Sequence, residues 1–596
     1  MSEPTRRDTV RTLAVVGIAS LAGCVGNNGA AEPADEPELP SISERWVTGT
    51  ATAERTLLPH RANDAASRQR LELVLDGAYT LTGEGEQVPY WLSLEGIEEG
   101  ERYEATLREG VRWSDPYGPM TAEDWVYYVE EIHQGAGNWA GSRLAPYWEG
   151  VEIEETGDRS FEIALSEPNV EFPTSPALRR SFCLPRTLIE PYVEEQDREG
   201  LEEDETISNL GYTGNLGPYT AAEREAGERF VATRNDDYYM RGAETDSELW
   251  ADAPYFETYE YRVYGGEQAR LQALRSGAVT TTTVPPLRFE QFATDDDRQF
   301  YREPQDHVTT LAFNQRENGW EPLREVEIRR ALSMAIDKER IAQSVFRGYG
   351  EPIHTFQPAH SEWHAEFETA GIGENYSHRE AAMELDGALG PEYGYDGATL
   401  VDPEGEPVEL TFVHVSDGNR PAALAEFVER ELEHLGIAID RQAVTFDALL
   451  SSFVENEWLG DGEEGEVEEP PWSAGEYNAG PREESASAEP WDLLCGVQLN
   501  AYPHAPATTA RYWLEDGDMN FSGYVPDADL AGLYEQARSG ENREAALDEL
   551  FATLTAERPA DFLVSQDAIV GYHHSIVGPE EDTGDWDRQT WHVGRR

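Results

Sequence analysis

The stretch from Tyr103 to Ile132, YEATLREGVRWSDPYGPMTAEDWVYYVEEI, restricts the possible folds more than any other part of the chain. Tyr103 to Leu107 alternates apolar and polar residues as a short strand does, and Gly110 tolerates the positive φ of the turn that ends it. Thr121 followed by Asp124 makes a capping box, which satisfies the free amide donors at a helix start and puts negative charge on the positive end of its dipole. Val126, Val129 and Ile132 then recur at helical spacing. The expectation is a strand, a polar loop carrying Trp113, and a capped amphipathic helix.

The wording of this stretch is narrower than its pattern. The string Leu107-Arg108 to Trp113-Ser114-Asp115, then Thr121-Ala122-Glu123-Asp124, resembles the family 5 extracellular solute-binding proteins, the dipeptide- and oligopeptide-binding subunits of ABC importers. Further segments agree in order: Gly214-Asn215-Leu216-Gly217-Pro218-Tyr219; Leu311-Ala312-Phe313-Asn314 with Arg329-Arg330-Ala331-Leu332 and Ala335-Ile336-Asp337; and Trp491-Asp492-Leu493-Leu494 with Asn520-Phe521-Ser522-Gly523-Tyr524. The resemblance implies an α/β, two-lobed periplasmic-binding-protein-like fold of type II, the large cluster with an extra small domain, hinged between its lobes. It also implies a non-enzymatic partner of membrane permease subunits, working as a monomer on a small solute.

Length and order suggest the division. At 596 residues the chain exceeds what one core serves, since single cores stop growing near roughly 250 to 300 residues. Residues 41–75, 206–306 and 546–596 are expected to build lobe I, 76–205 the small domain, and 307–545 lobe II. Val408 to Val415, Ala422 to Leu435 and Ile437 to Val444 read as strand, helix, strand. Residues 455–490, acidic and rich in Gly, Pro and Ser, read as a surface insertion.

The front end reads as an export signal. Arg6-Arg7 precedes an apolar run from Leu13 to Ala22, too short to span a bilayer, so residues 1–23 resemble a Tat-type signal peptide. Leu21-Ala22-Gly23-Cys24 resembles a lipobox, with Cys24 lipidated and residues 24–40 forming a tether. The protein is then expected on the extracellular face of the cytoplasmic membrane, lipid-anchored. Acidic residues outnumber basic ones 117 to 46, for a formal charge of −71, which repels nucleic acid and anionic lipid. At molar salt the Debye length falls to about 3 Å and such a surface hardly repels itself. The reading is a salt-adapted, haloarchaeal type of lipoprotein.

No Gly-x-Ser-x-Gly elbow, phosphate-binding Gly-Lys-Ser/Thr loop or His-Glu-x-x-His motif occurs, so no catalytic residue, cofactor or metal site is expected. His360 and His364 read as a solvated helix end, and Cys183 and Cys495 as buried free thiols. Where peptide-binding members carry an aspartate that anchors the peptide amine, this chain has Ala501, in the run from Gln498 to Pro506. Asp64, in the loop Asn63-Asp64-Ala65, is a candidate replacement. Gln498, Asn500 and Asn63 could instead bind a neutral, hydroxyl-rich ligand, with Trp139 and Tyr502 stacking on it. Packing of the small domain is the other role open to Trp139. Trp113 and Trp491 are assigned to the core, and Asn520 to Tyr524 to a structural turn. An aspartate placed at 501 is expected to improve peptide binding. The alternatives to a peptide importer subunit are an oligosaccharide-binding one and a surface receptor feeding a sensory pathway.

Overall fold

The structure, a computed structural model, describes residues 45–573 and 576, apart from 63, 82–86, 180, 243–253, 293–297, 365–375, 417–418, 461–469 and 541. Arg6, Arg7, Cys24, the tether and Asn63 therefore lie outside the described residues.

Two long antiparallel strands, Arg298–Phe313 and Ala560–His573, organise the molecule. Around them runs a sheet whose order on one side is Leu493–Cys495, Glu409–Val415, Ala438–Val444. On the other side it runs Thr281–Thr283, Arg45–Thr50, Thr258–Val263, Arg229–Arg234, Tyr219–Glu225. Residues 298–304 pair with 567–573, and 308–312 with 560–565; the register shifts between Pro304 and Val308. That bulge separates the two lobes along the strands they share, and a bulge bends and twists its strand.

Alternation along the paired strands feeds a different core on each face. In the second lobe Val308, Ala312 and Phe562 join one apolar cluster, while Leu311, Phe313 and Leu563 join another on the opposite face. In the first lobe Val570 and Tyr572 face one cluster and Ile569 another. Both lobes are thus sheets covered on two sides. The strand, helix, strand unit of the second lobe is Glu409–Val415, Asn419–Glu433 and Ala438–Val444, with its strands parallel.

A separate four-stranded antiparallel sheet, Leu92–Glu98, Arg102–Leu107, Ser160–Leu165, Val151–Gly157, shares an apolar core with the first lobe. The capping box at Thr121 and Asp124 is present, and Trp113 Nε1 also donates to Asp124 Oδ2 at 3.3 Å. Behind the cap the helix buries Ala122, Trp125, Tyr128, Val129 and Ile132, and it widens into a π turn at Val129–His133. Val126 is only half-buried, so the apolar stripe is rotated from the expected one. Trp91 and Trp148 meet Trp125 edge-on at 5.2 and 6.0 Å, an arrangement aromatic quadrupoles favour.

The segments that carried the resemblance stitch elements together. Asn215 accepts the Arg112 N–H and donates to Gly110 O, and a Cβ on Gly217 would stand 2.1 Å from the Val74 carbonyl carbon. Arg329 donates to Arg558 O and Glu557 O, placing a cation at the C-terminus of the helix Arg543–Glu557. Trp113 and Trp491 are buried, and Asn520 both accepts the Tyr524 N–H and donates to its carbonyl. Cys183 and Cys495 are buried free thiols in different cores.

Candidate functional site

Three segments meet between the lobes around a narrow cleft whose enclosed space is about 20 Å³, room for little more than a water molecule. The second lobe contributes Asn500, Tyr502, Pro503, His504 and Ala505; the small domain packed on the first lobe contributes Thr174, Pro176 and Arg179; the hinge contributes Asp306.

Each segment is held by its own backbone. After Gln498–Asn500 pairs with His307 to Thr309, Ala501 N–H donates to Asp306 O at 2.9 Å. Asn500 Oδ1 accepts the Tyr502 N–H at 2.7 Å, and Ala505 N–H donates to Tyr502 O at 2.8 Å. This tight loop puts Tyr502 at φ 47°, a left-handed conformation uncommon outside glycine, and turns its ring to the cleft. Asp306 lies in the bulge between the hinge strands, where its carboxylate meets His360 Nε2 at 3.3 Å. Bulges serve to re-aim a side chain next to a site, and this one delivers the only carboxylate among the described lining residues.

Beside the cleft, three tyrosines converge on one guanidinium. Arg511 Nη1 donates to Tyr147 Oη of the small domain at 2.8 Å and pairs with Asp518 through two nitrogens, at 3.0 and 2.5 Å. Tyr502 hydrogen-bonds to both Tyr147 and Tyr512, and burial holds the phenols of those two well above the ordinary range, so they stay neutral.

The structure brings together Asn500 and Tyr502 and disperses the other expected ligands. Asp64 caps the helix Ala65–Val74, its Oδ1 accepting the Ser67 N–H at 2.8 Å, and does not line the cleft. Trp139 packs on the first core and donates through Nε1 to Glu131 O at 2.8 Å, which is the packing role. Gln498 is exposed and paired along the strand edge, outside the cleft lining. Ala501 is fully buried, so its Cβ faces the core and position 501 cannot present an anchor to the cleft without rearrangement. His360 and His364 sit in a turn rather than a helix, and no group of three metal-ligating side chains occurs among the described residues. Asp306, Arg179 and Thr174 escaped sequence reasoning. One aspartate among 117 acidic residues carries no signal of its own, and the bulge that presents it has no motif.

Comparison with known proteins identifies the family and the fold. Residues 92–480 match the family described as bacterial extracellular solute-binding proteins, family 5 middle. The oligopeptide-binding protein AppA of Bacillus subtilis is 24% identical over 469 residues, covering 76% of this chain and 79% of that one. The AppA structure solved with a nonapeptide superposes with a TM-score of 0.70 at 16% identity, over 93% of this chain and 99% of that one. NikZ from Campylobacter jejuni, solved with Ni(L-His), gives 0.70 at 17% identity, over 93% and 100%. No helix among the described residues is long and apolar enough to cross a membrane. In sequence motifs, two-lobed fold and matched length, the chain belongs to the family 5 extracellular solute-binding proteins, non-enzymatic binding components of transport systems.

Proposed function

We propose that the protein captures a peptide-like solute with a free amine outside the cell and delivers it to the permease of an ABC importer. The observation that carries this reading is Asp306, a carboxylate at the hinge bulge that lines the cleft together with Arg179. An ammonium on a short ligand would find an opposite charge in this carboxylate, in addition to its His360 partner. Asp306 thus takes the role first considered for Asp64. A charge-assisted hydrogen bond of this kind contributes about 1.5 to 3 kcal/mol. The peptide-binding relatives support the ligand class. In this reading residues 45–75, 206–306 and the strand end 567–573 form lobe I, 76–205 the small domain packed on it, and 307–566 lobe II; the boundary expected at 546 moves because Leu547, Leu550 and Phe562 pack into the second lobe's core. Arg6 and Arg7 direct export, Cys24 carries the lipid, and the monomer works at the outer membrane surface in molar salt.

Calorimetry with tri-alanine and N-acetyl-tri-alanine tests the assignment. The free peptide is expected to bind, with acetylation or Asp306→Asn weakening binding by about 10- to 100-fold. Equal affinity for the two peptides would remove Asp306 from the site. Binding of a neutral oligosaccharide in place of either peptide would favour the sugar-binding alternative. Deletion that abolished a behavioural response and left uptake intact would favour the sensory receptor.

A further inference from the structure

The lobes touch across the cleft through contacts of two kinds. Arg143 with Glu476, at 3.0 Å, and Arg55 with Asp447, at 2.5 Å, are exposed ion pairs. At molar salt, where screening acts over about 3 Å, such pairs hold little.

The other kind is buried. Glu171, on the small domain that shares its core with the first lobe, is 3% exposed, and both of its carboxylate oxygens are taken by the second lobe. Ala507 N–H donates to Oε2 at 2.8 Å and Arg543 Nη2 to Oε1 at 2.7 Å. Its own backbone is fixed: Glu171 N–H donates to Asn169 Oδ1 at 3.0 Å, and its carbonyl accepts the Ser175 N–H at 2.9 Å. Arg543 in turn lies over the Trp363 ring, 4.7 Å from its centroid. Neighbouring bonds reinforce the crossing, from Val170 N–H to Arg538 O at 2.8 Å and from Thr174 Oγ1 to His504 O at 2.9 Å. Neither Glu171 nor Arg543 lines the solute cleft.

We propose that Glu171 is a closure clasp: a residue outside the cleft whose bonds to Ala507 and Arg543 hold the lobes together without solute and so set solute affinity. The inference rests on the reading of the cleft as one that opens and closes around its ligand. A carboxylate whose oxygens are both met from the far lobe must give up both partners when the lobes part. Removing one member of such a buried pair is costly because it leaves the other charge uncompensated. The clasp therefore weights the closed state, and apparent affinity follows the populated fraction of the binding-competent form.

Small-angle scattering at pH 8, with Glu171 ionised, of protein stripped of solute by unfolding and refolded in molar salt tests the clasp. Glu171→Ala and Arg543→Met are each expected to shift the radius of gyration upward at unchanged circular dichroism. The double variant is expected to shift no further than the larger single one, since both remove the same bond. Glu171→Gln, which keeps an acceptor for Ala507 and loses the ion pair, should fall between wild type and Glu171→Ala. If Glu171→Ala does not fold, Arg543→Met carries the test. Wild-type radii in folded variants would overturn the proposal. Scattering needs no ligand, so this result stands apart from whether tri-alanine binds.

Discussion

Asp306 and Ala501 are joined by one backbone hydrogen bond and have opposite fates. The aspartate reaches the cleft from a bulge, and the alanine turns into the core. Ala501→Asp is therefore expected to do the reverse of restoring a peptide anchor. It would bury a carboxylate among apolar groups, and the penalty of several kcal/mol should appear as a lowered urea midpoint with no gain in peptide affinity. Glu171 has a pH signature. Burial raises its pKa to about 7 against the pull of Arg543, with Arg538 and Tyr534 also facing it. The folded chain thus holds this proton more tightly than the unfolded one. The stabilisation is full below the ordinary carboxylate range near 4.5 and is lost as pH rises through about 7. The melting temperature of wild type should fall relative to Glu171→Gln between pH 5 and 8, a window that spans the shift; a constant gap would mean that the carboxylate titrates normally.

At the scale of elements, what the sequence made legible was whatever carried a local signal. The Thr121 and Asp124 cap was legible, and so was the helix Glu267–Ser276, which ends at Gly277 with φ 70°. Thr121→Ala should cost about 0.5 to 2 kcal/mol, read from denaturant unfolding, because the Asp124 amide loses its acceptor. The hinge was half legible. Val308–Phe313 is fully buried and reads as a strand, whereas Arg298 to Gln305 is mostly half-buried and polar and shows no alternation. Only pairing with Ala560–His573 makes the two halves one strand. The run from Trp491 to Leu499 reads in sequence as one strand, but it breaks at Gly496, with φ 136°, into Leu493–Cys495 and Gln498–Asn500. The acidic segment 455–490 is more than a surface insertion. Its ends pair as Asn456–Trp458 with Ser485–Ser487, and Asn478 and Ser485 are buried acceptors for Arg316. Polar residues that serve a buried arginine look in sequence like residues that face water.

For the whole molecule, charge and cleft set the conditions of function. With a formal charge of −71 the surface should need molar salt, and circular dichroism is expected to show loss of structure in millimolar buffer; an unchanged spectrum would count against salt adaptation. Buried cations contrast with this surface: Arg316, Arg329, Lys338 and Arg558 are all in the interior of the second lobe. Lys338, the chain's single lysine, pairs with Asp561 at 2.7 Å. The two-lobed fold and transport class were legible because their motifs are structural and therefore recur in order. The ligand was not, because it depends on a bulge and on side chains meeting from three distant segments. The most direct test of the account is mass spectrometry of the solute released when protein purified in molar salt is unfolded. Short peptides with free amino termini are the predicted result; a neutral sugar or other solute lacking a cationic group would contradict the role given to Asp306.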